Sequence, residues 1–280
     1  MKKKHSSWIY IVMGIMLFSL ITVSALPLVG SVVSGKDLAK NADSEVIVLS
    51  QQELTKLEAE ASGYQKVLER EPNNDTALNG LLKIRLQQKD IPGAIAPLEK
   101  LAKLHPEQTE YTILLAQAKQ QMTDYEGAAM AYNQVLSGHP GDIYALGGMT
   151  NLYVIQDLPE RAIALLKKTI KLAENDDSQT ATSIDKEAVE LLLGELYTNQ
   201  ERYGEAIALY DELNQANQDD FRPILAKALV LERQGDFKAA KPILEKAYVA
   251  APSAYKDQIG NQMEQLVQEI KEAEKLQDRD

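Results

Sequence analysis

Along the chain, an alanine followed four residues later by a large apolar side chain recurs at regular intervals. Ala94 precedes Leu98, Ala128 precedes Tyr132, Ala162 precedes Leu166, Ala206 precedes Tyr210 and Ala240 precedes Leu244, at spacings of 34, 34, 44 and 34 residues. Seven residues after each alanine stands Leu101, Val135, Thr169, Leu213 or Ala247, and twelve after it Pro106, Pro140, Glu174, Gln218 or Pro252. Apolar positions at four and seven belong to one helix face, and a proline cannot continue the helix it follows. An earlier set of small or apolar pairs precedes each alanine: Leu81-Leu82, Leu115-Ala116, Met149-Thr150, Leu193-Gly194 and Lys227-Ala228. The pattern predicts two helices per period, with the alanine at their crossing point, where a small side chain lets the backbones approach. One such pair cannot cover its own apolar stripe, so the pairs must stack.

These positions resemble the tetratricopeptide repeat, a 34-residue helix-turn-helix unit. The resemblance places repeats at 75–108, 109–142, 143–176, 187–220 and 221–254, and implies an all-α, right-handed superhelical solenoid. The family's tryptophan position is not Trp in any of them, and Lys227 departs from the expected leucine, which predicts some fraying of the fifth pair. Residues 51–74 read as the second helix of a partial leading repeat, with Tyr64, Val67 and Pro72 at the usual places and Ser50 with Glu53 forming a capping box. The solenoid thus runs over 51–254. The ten-residue excess before repeat four, ENDDSQTATSID, is polar and fits a loop or a lengthened helix. Over 255–280, Ile259, Met263, Leu266, Ile270 and Ala273 form a stripe that predicts a cap helix.

The first forty residues have a different pattern. Between Lys4, in the opening MKKKH, and Lys36 there is no Asp, Glu, Lys or Arg, and the apolar heart of the interval runs from Trp8 to Val23. About 20 apolar residues cross a bilayer as a helix, so residues 1–33 predict one N-terminal transmembrane helix, with 34–50 as linker and Trp8 and Tyr10 at the interface. The competing reading is a secretory signal cleaved after Val23-Ser24-Ala25. Both send the chain to a membrane. Three lysines before the segment and two after it place the N-terminus on the cytoplasmic side and the repeats opposite.

Charge then separates the two parts. The whole chain carries −11, and since residues 1–40 carry +4, the remainder carries −15. An acidic body argues against a nucleic-acid partner, because phosphates require a basic surface. The chain has no cysteine, which removes thiolate nucleophiles, disulfides and cysteine metal sites. There is neither a GxxxxGK[ST] nor a GxGxxG motif. His105 and His139, one period apart and each before a proline, read as turn residues rather than as a metal pair. Asp176-Asp177 with Asp185 lacks the alternation of a calcium loop. No catalytic constellation assembles, and no cofactor, metal or enzymatic activity is expected.

What remains is binding. The resemblance implies a concave groove lined by the first helix of each repeat: Asn79, Lys83 and Gln87; Ile113, Gln117 and Gln121; Tyr144, Asn151 and Ile155; Leu191, Glu195 and Asn199; Arg222, Leu225 and Arg233. Amides, arginines and aliphatics in such a set suit a peptide segment or a partner helix, and they do not reproduce the family's two-carboxylate clamp. The stretch from Asp219 to Ala240, DDFRPILAKALVLERQGDFKAA, together with the anchor-plus-repeats layout, also resembles cyanobacterial and chloroplast proteins of the slow-green type. That resemblance implies a membrane-linked factor in photosynthetic complex assembly, in a bacterial plasma membrane or thylakoid, with the repeats on the cytoplasmic or stromal side. The expected function is a non-catalytic, single-pass membrane scaffold for protein–protein interaction. The alternative is a secreted or periplasmic carrier of a small or polymeric ligand.

Overall fold

The computed structural model describes residues 50–175 and 184–277. The expected transmembrane helix or signal over 1–33, the linker to Val48-Leu49 and most of the polar insertion lie outside the described residues. Among the described residues there are twelve helices and no strand, and no helix is long and apolar enough to cross a membrane. The helices fall into two compact units, which meet in sequence between Gly138 and His139.

The first unit holds α1 (Gln51–Arg70), α2 (Asp75–Gln87), α3 (Ile91–Leu104), α4 (Thr109–Gln121) and α5 (Tyr125–Gly138). Each packs on its neighbour in the chain. Ser50 starts α1 by the reciprocal bonds of a capping box, its side chain accepting from the Glu53 amide and Glu53 accepting from the Ser50 amide. The crossing-point residues Ala94 and Ala128 are fully buried, as are Leu98 and Tyr132 one turn on.

The second unit holds α6 (Ile143–Ile155), α7 (Pro159–Glu174), α8 (Lys186–Asn199), α9 (Tyr203–Ala216), α10 (Phe221–Arg233), α11 (Phe237–Ala250) and α12 (Ser253–Gln277). Besides neighbour packing, α6 touches α8 and α8 touches α10, so the first helices of these pairs lie side by side. Ala162, Ala206 and Ala240 are again fully buried. The last pair is closed by α12, whose Ile259 and Leu266 join Ala228, Ala240 and Leu244 in one core. Lys227 does not fray this pair. Its ammonium bonds both carboxylate oxygens of Asp211 on α9, at 2.6 and 2.8 Å, which holds the lysine at a leucine position without burying its charge.

One backbone device joins the two helices of every pair. Lys89, Thr123, Asp157, Glu201 and Gly235 all have φ between 57 and 77°. Around each, two hydrogen bonds close the end of the first helix. Thr123 N–H donates to Gln120 O at 3.0 Å and Asp124 N–H donates to Lys119 O at 2.9 Å, and the other four turns repeat this arrangement. The next residue already starts the second helix, as when Asp124 Oδ1 accepts from Gly127 N–H at 2.9 Å. A left-handed conformation strains a β-branched side chain and suits glycine. Thr123→Gly is therefore expected to stabilise the chain by about 1 kcal/mol, and Gly235→Ala to destabilise it by about as much. Thermal unfolding checks both, and equal shifts of the same sign would refute the strain argument.

Candidate partner-binding faces

In the first unit, α1 and α2 leave a groove of about 660 Å³ between them. From α1 it is lined by Glu53, Lys56, Leu57, Glu60 and Tyr64, and from α2 by Gly80, Lys83, Ile84 and Gln87, with Lys89 at the turn. Both sets follow the three- and four-residue steps of a helix face. Leu57, Tyr64 and Ile84 form the apolar floor together with buried Ala61 and Leu81 beneath. The Tyr64 ring lies directly over Gly80, where a Cβ would come within 2.3 Å of it. Glycine at 80 is what lets the ring settle there.

The residues projected onto the groove from α2 and α4 have different fates. Lys83, Gln87 and Gln121 are exposed. Asn79 is half-buried and engaged: it donates to Asp75 O at 3.0 Å and accepts from the Tyr111 hydroxyl at 3.0 Å, linking α2 to α4. Ile113 and Gln117, expected on an open face, are fully buried. The reason is compositional. The run from Tyr111 to Ala118, YTILLAQA, is apolar round most of the helix, and such a helix is enclosed rather than left with a free face. Nothing in the described structure satisfies the Gln117 carboxamide.

In the second unit, Tyr144 and Asn151 on α6 are half-buried, whereas Ile155 stays 47% exposed. On α8, Leu191 and Glu195 are half-buried and Asn199 is exposed. Arg233 on α10 donates from Nη1 to Asn199 Oδ1 at 2.8 Å, joining equivalent positions of adjacent pairs 34 residues apart. Leu225 is half-buried, and Leu229, one turn from Arg233, is 39% exposed. Arg222 grips Asp220 at 2.8 Å and Glu187 at 3.3 Å. A hydrogen bond with Asp220, followed by burial, holds the Glu187 carboxyl above its usual range.

Glu195 is another perturbed acid of this face. Burial pushes its carboxyl above the ordinary glutamate value of 4.5, and the Arg233 charge offsets only part of that. Over the pH interval between those two values the folded chain keeps a proton that the unfolded chain has released. The stability this contributes is complete below pH 4.5 and is lost as pH rises through the raised value. Glu195→Gln is accordingly expected to raise the melting temperature at pH 7 and to leave it unchanged at pH 4. A lower melting temperature at pH 7 would mean that the Arg233 attraction outweighs burial.

Among the described residues no group of three or more His, Asp or Glu side chains is placed to hold a metal. His105 is tied to Asp75 through Nε2 and lies against Tyr111, with ring centroids 5.9 Å apart. The α1 residues of the groove are not among those the sequence points to, because α1 reads as the second helix of a partial leading repeat and the groove is expected on first helices. Their spacing, 53, 57, 60 and 64, is the signal that was available.

Residues 191–223 match one tetratricopeptide-repeat family model and residues 222–253 match another. No curated protein matches the chain. Among solved structures, yeast Tom70 is similar at 14% identity and a TM-score of 0.51, over 95% of this chain and 47% of that one. This chain therefore spans about half the length of the Tom70 chain. A tetratricopeptide repeat protein from Parabacteroides merdae is similar at 15% identity and a TM-score of 0.48, over 78% and 80% of the two chains. YrrB, described as a repeat protein with an unusual peptide-binding site, is similar at 13% identity and a TM-score of 0.38, over 72% and 99%. The matched repeats share their left-handed turn and buried alanine with the three pairs before them, and residues 191–253 of the chain are two tetratricopeptide repeats.

Proposed function

We propose that this protein is a non-catalytic scaffold that binds segments of other proteins on the inner faces of its first helices, held at a membrane by residues 1–33. The observation that carries the reading is on the second unit. There Ile155 and Leu229 remain in solvent at positions of the repeat frame shared with Glu195, Asn199 and Arg233. Exposed aliphatics interleaved with amide and guanidinium groups suit a segment that buries a few apolar side chains and satisfies its own backbone. Lys83, Gln87 and Gln121 supply the accessible polar positions of the first unit. Tethering strengthens such binding, since confinement beside a client raises its effective concentration without a new contact. The slow-green resemblance of residues 219–240 supports a role in assembling a membrane protein complex.

A photoactivatable cross-linker at Leu229 in the full chain, in its native membrane, tests the reading. Protein adducts that disappear with Arg233→Glu are expected, and adducts indifferent to that change would sink it. Carbonate extraction with N-terminal sequencing tests the tether. A chain that stays in the membrane pellet with residues 1–33 intact is expected, whereas a soluble form beginning at Leu26 selects the secreted carrier.

A further inference from the structure

Among the described residues no helix occupies the groove between α1 and α2. In each of the five complete pairs, three residues of the second helix face the first: the alanine and the residues four and seven further on. All are buried, from Ala94, Leu98 and Leu101 in the first pair to Ala240, Leu244 and Ala247 in the last. One period before Ala94 the same places are Glu60, Tyr64 and Val67 on α1, and they are exposed, half-buried and 38% exposed. The second unit shows what ordinarily covers them. There a first helix packs on its own second helix and on the next first helix, as α8 packs on both α9 and α10. The corresponding place here lies against α1 and α2, where the groove is.

The described residues do not repeat the arrangement of the other pairs here. One period before Lys89 stands Thr55, where the left-handed turn would fall, yet α1 runs unbroken through it from Gln51, and Thr55 bonds Gln51 O within the helix. Charge decides what else fits. Lys56, Lys83 and Lys89 rim the groove and form no ion pair among the described residues, whereas Glu53 is already spent on the Ser50 cap. This leaves Glu60 as the one uncommitted carboxylate of the lining, so the rim is basic on a chain whose total charge is −11. Residues 1–40, at +4, have the wrong sign to match it, and residues 41–49, with Asp43 and Glu45, are the segment of this chain that the truncation below tests against a partner.

We propose that this position binds, in trans, an amphipathic helix of a partner protein whose apolar stripe lies on Leu57, Tyr64 and Ile84 and whose flanks are acidic. The inference rests on the scaffold reading and names the chemistry of one of its partners. Apolar contact would supply the affinity and the three lysines the selectivity.

The test uses the full chain and two fluorescein-labelled peptides, with leucines at helical three- and four-residue steps and flanks of glutamate in one and lysine in the other. The glutamate peptide is expected to bind saturably, to gain helicity on binding, and to bind about tenfold more tightly than the lysine peptide. Lys56→Glu with Lys83→Glu, both on exposed side chains, is expected to cancel or reverse that preference. Equal affinity for the two peptides, or a preference unchanged by the double substitution, overturns the proposal. Tighter binding after deletion of residues 1–49 would assign the place to the chain's own N-terminal segment. Dimerisation abolished by the double substitution would assign it to a second copy. Either result overturns the partner helix. Adducts at Leu229 that survive a negative peptide result would leave the scaffold reading standing and remove only this site.

Discussion

Replacing Ala128 by tryptophan is expected to lower the melting temperature by roughly 10 °C, through overpacking of about 3 kcal/mol or more in an array of this size. Ala128 is fully buried on α5, and α4, which packs on α5, carries Ala116, also fully buried. Small residues on both helices set a short interhelical distance, and an indole has no volume there to occupy. The pair would have to separate, and with it the packing on which the neighbouring pairs depend. Met130, two residues further along α5 and 68% exposed, is the control. Met130→Trp is expected to leave the melting curve within about 0.5 kcal/mol of the parent. Equal curves for the two variants would refute the assignment of Ala128 to a helix crossing.

The second large effect reverses a helix-propensity rule. Alanine ordinarily stabilises a helix interior by up to about 1 kcal/mol over glycine. At Gly194 in α8 it is expected to destabilise by about 2 kcal/mol instead. A Cβ there would lie 2.4 Å from Cε1, 2.6 Å from Cζ and 2.8 Å from the hydroxyl oxygen of Tyr210. That ring is only 3% exposed and has nowhere to retreat, and burial holds its phenol neutral far above the usual value. Gly63 in α1 has nothing within 4 Å of the same position, so Gly63→Ala follows the propensity rule and stabilises. Denaturant unfolding of the two variants should give opposite signs, and adding Tyr210→Leu to Gly194→Ala should recover part of the loss. Two stabilising substitutions would show that Tyr210 does not depend on the missing side chain.

The helix pairs were legible in the sequence because their signal is periodic and local. Ala94, Ala128, Ala162, Ala206 and Ala240 mark a crossing where only a small side chain fits, and five coincident frames leave no alternative fold class. The candidate faces were less legible. A position in the repeat frame says which way a side chain leaves its helix, but not whether another element covers it. Ile113 and Gln117 carry the right positions and are buried, because the 111–118 run of α4 is apolar round most of the helix. Asn79 carries the right position and is engaged by Tyr111 from 32 residues away. Lys227 breaks the pattern in sequence and is accommodated by Asp211, a partner that no local rule supplies.

The sequence by itself determined the all-helical class, the 34-residue period, the crossing alanines, the capping box at Ser50 and the division of charge between an apolar basic tail and an acidic body. All of these follow from side-chain size, spacing and sign along one strand of chain. Only the tertiary structure decided which inner faces are open, that a left-handed turn joins every pair whatever residue occupies it, and that among the described residues no companion helix covers the leading one. Those properties depend on contacts between residues a full period apart, where packing and desolvation, rather than local preference, set the outcome.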